Sequence, residues 1–142
     1  MLLTIKRLDP SVGLPEPATS GAAAFDLAAA HDVDIPPRAI RLVGTGLVIG
    51  VPKGHFLGIF ARSSTPLKRG LVVANGVGVV DADYCGPTDE VKIPVLNVTD
   101  ASVRVERGDR IAQGIVLPAP RIEWQEVDEI TAPARGGFGS TG

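Results

Sequence analysis

The sequence has little of several features that mark particular classes of protein. It contains one cysteine, Cys85, so an internal disulfide is impossible, and a lone thiol fits a reducing compartment. Its 14 basic and 16 acidic residues give a formal charge of -2, without the basic excess that nucleic-acid or membrane-surface binding usually requires. No apolar run approaches the ~20 residues of a membrane span, and no signal peptide is recognisable. These absences predict a cytoplasmic protein with neither a nucleic acid nor a membrane as partner.

The sequence is rich instead in glycine and proline, 17 and 12 residues, spread along a chain of 142, which is the length of one domain. Because short β-branched runs separate them, they indicate turns between many short strands, and the pattern predicts an all-β sandwich or barrel. A short helical turn is expected near Pro66–Lys68. The predicted strands are Leu3–Leu8, Asp32–Ile35, Ile40–Val51, His55–Phe60, Leu71–Val73, Val77–Val80, Glu90–Asn97, Ser102–Val105, Arg110–Leu117 and Ile122–Val127.

Two segments allow more than one interpretation. Gly21–Ala30 is rich in alanine and has a high helix propensity, but it is short for a stable isolated helix. Ala132–Gly142 contains four glycines and cannot pack by itself. It is either a frayed terminus or an arm that becomes ordered on a ligand, in which Arg135 would suit a phosphate and Phe138 a base.

Three groups of polar residues could carry chemistry. Arg62–Thr65 follows a predicted strand and offers a guanidinium and hydroxyls that suit a phosphate, although serine and threonine also mark turns and helix caps. Asp81 and Asp83 follow an apolar hairpin, and on an extended strand they would face the same side. Their like charges need a compensating cation, arginine or water, unless both are ordinary turn residues. Gln113 interrupts an apolar strand face, so it has a buried partner or faces a ligand.

Five segments, taken in chain order, resemble the motifs of the trimeric dUTPase family. They are Ala23–Leu27, Ala61–Ser64, Gly78–Gly86 with Asn97 closing the next strand, Gly108–Gln113 and Arg135–Gly142. The resemblance implies a strand rather than a helix in the alanine-rich segment. It implies a jelly-roll-like, distorted β-barrel over residues 1–131 and a glycine-rich arm over residues 132–142. It also implies a homotrimer in which each active site combines residues of all three subunits, with the arm closing a neighbouring subunit's site.

The function implied by this resemblance is the Mg²⁺-dependent hydrolysis of dUTP to dUMP and pyrophosphate, which keeps uracil out of DNA and supplies dUMP for dTMP synthesis. Asp81 corresponds to the carboxylate that activates the water attacking the α-phosphorus, and Asp26 to the one that holds water molecules of Mg²⁺. Tyr84 corresponds to the residue that packs under deoxyribose and excludes ribose. Phe138 would stack on uracil. The other implied substrate contacts are Arg62, Ser63, Ser64, Asn75, Gly78, Gln113, Arg135, Gly139, Ser140 and Thr141.

The sequence departs from the family pattern in three places. Arg135 stands three residues before Phe138 rather than five, and Cys85 follows Tyr84 where arginine is common. Serine replaces a usual glycine after Ser63, which leaves two adjacent serines as alternatives for one contact.

Two other functions are alternatives to dUTP hydrolysis. A dCTP deaminase shares this fold and can be bifunctional, but no position here can be assigned to its water-activating glutamate. A catalytically silent nucleotide-binding member is the second, and the presence of Asp81, Tyr84 and Phe138 argues against it.

Overall fold

The computed structural model describes residues 1–137, which form eleven strands and one short helix. The helix, α1, spans Ser64–Arg69. The strands are β1 Thr4–Arg7, β2 Phe25–Ala28, β3 Val33–Ile35, β4 Ile40–Gly44, β5 Leu47–Gly50, β6 His55–Ala61, β7 Leu71–Val73, β8 Gly78–Val80, β9 Lys92–Asn97, β10 Val103–Val105 and β11 Arg110–Pro118. The all-β prediction and the short helical turn are therefore confirmed.

The strands pair in four antiparallel sheets. The largest has the order β2-β11-β6-β8, the second has the order β4-β9-β7, and β1-β5 and β10-β3 are two-stranded ribbons. Strands distant in sequence lie side by side, which is typical of jelly-roll-like folds. The jelly-roll-like fold is therefore confirmed, and within residues 1–137 the sheets stay open rather than closing into a barrel. Most strands have only three to five residues, and their short hydrogen-bond ladders end where the chain passes to another sheet.

One hydrophobic core lies between the sheets, and strand alternation places it there. On β9, Ile93 and Val95 point inward and are buried, whereas Lys92 is exposed. Leu57 on β6 and Leu27 on β2 meet them in the same core. Complete burial of an aliphatic side chain of this size stabilises the fold by roughly 1.5–3 kcal/mol.

Asn97, the last residue of β9, is a buried polar group within this core. Its Nδ2 donates hydrogen bonds to the main-chain oxygens of Ile35 and Ala101, at 3.0 and 2.7 Å. Its Oδ1 accepts the N–H of Thr99 at 2.9 Å. Buried polar groups are tolerated when they are satisfied in this way, so Asn97 joins three chain segments and has a structural role.

The alanine-rich segment is a strand, as expected. Phe25–Ala28 forms β2 and pairs with β11, and this pairing overrides the local preference for helix. Ile40–Val51 was predicted as one strand, and this is wrong. The chain turns after Gly44, and Gly46 has a φ of 67°, so β4 and β5 enter different sheets.

The predicted strand Ile122–Val127 is also absent. Residues 119–137 form no strand, and the side chains of Ile122 and Trp124 are 69% and 91% exposed. Alternating apolar residues supply a strand face, but a strand also needs a neighbour that accepts its main-chain hydrogen bonds. No other strand of the described chain pairs with this segment.

The helix α1 is short and ends at Gly70, which adopts the left-handed conformation at φ 62° and donates its N–H to the Pro66 oxygen at 3.0 Å. With six residues, it is far below the length of a membrane span. Accordingly, residues 1–137 contain no helix that is long and apolar enough to cross a membrane.

Candidate active site

The predicted site residues lie at both ends of strand β6. In the pairing of β6 with β8, Leu57 is opposite Val80 and Ile59 is opposite Gly78. Asp81 therefore follows β8 beside the start of β6, whereas Arg62 follows the last residue of β6. Asp81 lies beside residue 56, and Arg62 is six positions further along the chain, which is about 20 Å along a strand. A single chain thus holds Asp81 and Arg62 far apart.

One group, here called the arginine cluster, consists of Asp26, Arg62, Arg110 and Gln113. The pairing of β2 with β11 sets Asp26 opposite Gln113, and the pairing of β11 with β6 brings Arg62 alongside. Asp26 Oδ1 accepts Arg62 Nε at 2.7 Å, and Asp26 Oδ2 accepts Arg110 Nη1 at 3.1 Å. Gln113 donates from Nε2 to the Ala61 oxygen at 2.8 Å. Three predicted residues, Asp26, Arg62 and Gln113, therefore come together.

The arginine cluster is suited to an anion. Two guanidinium groups and one carboxylate leave a net charge of about +1, because only one arginine charge is neutralised. The side chains of Asp26 and Arg62 are 18% and 23% exposed, whereas that of Arg110 is 60% exposed and presents unused N–H donors. Arg110 is not among the ligand contacts that the sequence predicts. Its signal was its place in the fourth motif, beside Gln113.

Ser63 and Ser64 extend the arginine cluster toward α1. Ser63 occupies the N-cap position of the helix, but its side chain makes no capping hydrogen bond. It is exposed, and its hydroxyl has no partner among residues 1–137. Ser64 begins the helix and is half-buried. Of the two serines, Ser63 is the one whose hydroxyl is better placed to meet a ligand.

An ion pair joins α1 to the turn that precedes Arg110. Arg69 Nη1 lies 2.7 Å from Asp109 Oδ2, and the same carboxylate oxygen accepts the N–H of Glu106 at 2.8 Å. Partial burial by itself raises the pKa of Asp109. The hydrogen bonds from Glu106 and Arg69 outweigh that effect and hold the pKa below its ordinary value. The pair thereby fixes the turn from which Arg110 projects.

A second site, here called the tyrosine cleft, lies near the other end of β6, where β8 ends. It has a volume of about 240 Å³ and is lined by Val79, Val80, Asp81, Tyr84, Glu90, Val91 and Lys92. Asp81 and Tyr84 thus line the same cleft, and the Asp81 carboxylate has no ion pair among residues 1–137. Tyr84 donates its hydroxyl to the Glu90 oxygen at 3.2 Å.

Asp81 and Asp83 do not share a strand face, so that expectation is wrong. Strand β8 ends at Val80, and the chain then turns, with the N–H of Tyr84 bonded to the Asp81 oxygen at 3.1 Å. The extended geometry that would align residues two apart is lost in a turn. Only Asp81 lines the cleft, and Asp83 is exposed outside it.

The hairpin between β7 and β8 carries Asn75 and Gly78. Asn75 is exposed in the turn, where its oxygen accepts the N–H of Val77 at 2.9 Å. Gly78 is buried, and a Cβ there would lie 3.0 Å from the Cβ of Ile59. Packing against β6 is therefore sufficient to explain this glycine, and its approach to a ligand stays a prediction.

Arg135 is exposed in the irregular segment that follows β11. Phe138, Gly139, Ser140 and Thr141 lie outside the described residues. Cys85 is exposed, and its Sγ approaches the Ala82 oxygen at 3.4 Å.

Among residues 1–137, no three histidine, cysteine, aspartate or glutamate side chains are grouped to hold a metal ion. An all-β, jelly-roll-like chain with an arginine cluster for anions and a separate cleft bearing a free carboxylate has the parts of a nucleotide hydrolase.

Comparison with known proteins agrees with that class. The dUTPase family model matches residues 11–142. The deoxyuridine 5'-triphosphate nucleotidohydrolase of Thermobifida fusca is 45% identical, over 97% of this chain and 77% of its own. Among solved structures, the dUTPase of Streptococcus mutans is 36% identical, with a TM-score of 0.78, over 86% of this chain and 98% of that one. The dUTPase of Staphylococcus bacteriophage 80alpha with dUPNHPP is 25% identical, with a TM-score of 0.88, over 99% and 98%.

The chain belongs to the dUTPase family, whose model covers nearly all of it. It is accordingly an enzyme, a dUTP diphosphatase, and the reaction is the hydrolysis of dUTP.

Proposed function

We propose that the chain hydrolyses dUTP to dUMP and pyrophosphate by attack of a water molecule, deprotonated by Asp81, on the α-phosphorus. The observation that carries this proposal is the position of Asp81 in the tyrosine cleft, without an ion pair among the described residues. An aspartate carboxylate is ordinarily ionised at neutral pH, so it is available as a general base. The water's proton would move to a carboxylate oxygen of Asp81, and pyrophosphate would leave.

Tyr84 would bind the sugar, and the hairpin around Asn75 and Gly78 would read uracil. Tyr84 and Asp81 line the same small cleft, so a deoxyribose packed on the phenol would bring its 5'-phosphate toward the carboxylate. A tight hairpin leaves no space for the methyl group of thymine, and cytosine presents the opposite hydrogen-bonding pattern at two positions. The phage 80alpha dUTPase with dUPNHPP supports a nucleotide of this kind as the ligand.

The arginine cluster would bind the phosphates. Its net positive charge, the Ser63 hydroxyl and the free donors of Arg110 all suit phosphate oxygens, and Gln113 and Ser64 lie beside them. These contacts would stabilise charge that develops on the phosphates as the bond to the α-phosphorus breaks.

Mg²⁺ fits this donor set as an ion bound mainly by the triphosphate and by water, because the described residues offer no three-ligand group. Asp26 would hold it through water. Each Asp26 oxygen already accepts one arginine N–H, and a carboxylate has about four acceptor positions, so two stay open for water. When bound, the ion would supply charge neutralisation on the phosphate oxygens.

A complete site needs more than one copy of the chain. A nucleotide with uracil at the Asn75 turn and its α-phosphorus at Asp81 runs along β8 away from Arg62 of the same chain. Its β- and γ-phosphates can therefore meet only the arginine cluster of another copy. A homotrimer with three shared sites satisfies this geometry.

The C-terminal arm would complete the site. We infer one β domain over residues 1–131 and an arm over residues 132–142 that closes the site of a neighbouring subunit. In the arm, Phe138 would stack on uracil, a contact worth roughly 1–3 kcal/mol in other base–aromatic stacks. Arg135 would reach the γ-phosphate, and Gly139, Ser140 and Thr141 would add hydroxyl and main-chain contacts to the phosphates.

The test is pyrophosphate release by the purified protein with Mg²⁺, comparing dUTP, dCTP, dTTP and UTP side by side. Strong preference for dUTP is expected, with dCTP disfavoured by ~10⁴-fold because fixed polar partners reject a mismatched base edge. No release from dUTP would overturn the proposal. Ammonia release from dCTP in the same preparation would instead indicate a deaminase.

A further inference from the structure

The phenol of Tyr84 is held by a single hydrogen bond to the main chain. Its hydroxyl donates to the Glu90 oxygen at 3.2 Å, across a loop that returns the chain to the same cleft. Tyr84 is 44% exposed, so packing alone does not fix the orientation of its ring. The position of the Glu90 carbonyl therefore decides where the phenol lies.

The Glu90 side chain anchors that carbonyl to the body of the protein. Its Oε1 accepts the N–H of Gly46 at 2.8 Å, and the side chain is only 16% exposed. Gly44 provides the space, since a Cβ at that position would collide with Oε1 of Glu90. A buried carboxylate needs such partners. Gly46 belongs to the turn between β4 and β5, and the Nζ of Lys92 lies 3.5 Å from the other carboxylate oxygen, Oε2.

The main chain beside Glu90 is attached to the same turn. The N–H of Val91 donates to the Leu47 oxygen at 2.8 Å, and the Thr45 hydroxyl donates to the Val91 oxygen at 2.7 Å. Residues 85–89, which connect Tyr84 to Glu90, are mostly exposed. They form a local turn in which the Gly86 N–H donates to Asp89 Oδ2 at 2.7 Å. Glu90 is therefore the point at which this loop joins the core.

We propose that Glu90 is a positioning residue that holds the Tyr84 phenol in place and thereby sets the discrimination between deoxyribose and ribose. This inference rests on the proposed function of Tyr84 as the surface beneath the sugar. A phenol held at a fixed height leaves no room for a 2'-hydroxyl, whereas a phenol free to tilt can admit one. Removing the Glu90 side chain should therefore lower the ratio of kcat/KM for dUTP to that for UTP. The turnover of dUTP itself should change less than this ratio.

The kinetic test compares kcat/KM for dUTP and UTP in Glu90→Ala, Glu90→Gln and a matched control, Glu123→Ala, whose side chain is exposed in the irregular segment after β11. Glu90→Ala should lower the dUTP-to-UTP ratio roughly 10-fold, since small misplacements of a positioning group have effects of this order. Glu90→Gln keeps an amide oxygen for the Gly46 N–H, so it should restore most of the ratio. Glu123→Ala should leave it unchanged.

A spectroscopic test follows the phenol directly, because Tyr84 is the only tyrosine of the chain. Protein labelled with 3-fluorotyrosine should give one fluorine NMR resonance. Glu90→Ala should shift and broaden it, whereas Glu90→Gln and Glu123→Ala should not. An unchanged resonance together with an unchanged substrate ratio in folded Glu90→Ala would overturn the inference.

Tyr84→Phe keeps the inference testable if Glu90→Ala fails to fold. It removes the same hydrogen bond from the other side and should lower the ratio to a similar extent. In the double variant the two effects should not add, because both act through one contact. A wild-type ratio in Tyr84→Phe would also overturn the inference. Absence of any dUTP preference in the wild-type protein would overturn the proposed function itself, so the two failures are distinguishable.

Discussion

At the scale of single residues, Asp81 and Asp83 differ only through the turn that contains them. Both are aspartates at the end of an apolar hairpin, and nothing in their local sequence separates them. The turn that begins after Val80 directs Asp81 into the tyrosine cleft and leaves Asp83 outside it. Their expected contributions to activity are therefore very different.

Asp81→Asn should retain the fold and lower turnover of dUTP by about 10²–10⁴-fold, because the general base is lost while the side-chain volume is kept. Asp83→Asn, the matched control in the same turn, should keep most of the activity. Steady-state pyrophosphate release gives the comparison, and thermal melting checks that both variants are folded. Equal activity of the two variants would remove Asp81 from the mechanism.

At the scale of elements, the turn between β10 and β11 is stabilised by one carboxylate. Asp109 accepts the Glu106 N–H and pairs with Arg69 of α1. This links the helix that follows Ser63 to the strand that begins with Arg110. Two parts of the arginine cluster are thus connected by an ion pair outside the cluster.

Asp109 should make the free energy of unfolding sensitive to acid. Its pKa in the folded protein is held below the ordinary value by Glu106 and Arg69, against the opposing effect of partial burial. A carboxyl of this kind contributes stability above about pH 4, and the contribution is lost as pH falls through the folded-state pKa. The stability difference between wild type and Asp109→Asn, measured by urea unfolding, should therefore narrow below about pH 4. A difference that is constant from neutral to acidic pH would contradict this assignment.

Deletion of residues 135–142 should leave the β domain folded and strongly reduce hydrolysis. Residues 119–137 form no strand, and none of residues 117–137 belongs to the core cluster or packs against it, so loss of the described part of the arm removes little stabilising contact. Circular dichroism and size-exclusion chromatography should match the full chain, whereas pyrophosphate release from dUTP should fall. Loss of the oligomer on deletion would instead show that the arm has a structural role.

At the scale of the whole molecule, the two halves of the proposed site are separated within one chain. The arginine cluster and the tyrosine cleft lie at opposite ends of β6, about 20 Å apart along the strand. Catalysis by a single chain would require a rearrangement of the largest sheet. Sharing of sites between copies requires none.

Mixing two inactive variants should restore activity if sites are shared. Arg62→Ala lacks a guanidinium of the arginine cluster that would bind phosphate, and Asp81→Asn lacks the proposed base. When the two are unfolded together and reassembled in equal amounts, about a quarter of shared sites should contain both native residues by random association. Pyrophosphate release should then rise well above that of either variant alone. No gain in the mixture, with mixed oligomers demonstrated, would mean that one chain supplies both residues.

Local patterns in the sequence determined most of the secondary structure. The apolar run Leu71–Val73 is a strand with the predicted bounds, and β11 follows Arg110–Leu117 with one further residue. The turn around Asn75 and the grouping of Asp81 with Tyr84 were also predictable. In each case the residues concerned are close neighbours in the chain, so their own conformational preferences are sufficient.

Contacts between distant segments were decided only by the tertiary structure. Asp26 pairs with Arg62, which is 36 positions away in the sequence, and with Arg110, which is 84 positions away. The Glu90 carboxylate accepts the N–H of Gly46, which is 44 positions away. The break inside Ile40–Val51 and the unpaired segment Ile122–Val127 have the same origin. Strand partners, ion pairs and the separation of two half-sites depend on which segments become neighbours when the core forms. Periodicity and propensity describe each segment by itself and leave that choice open.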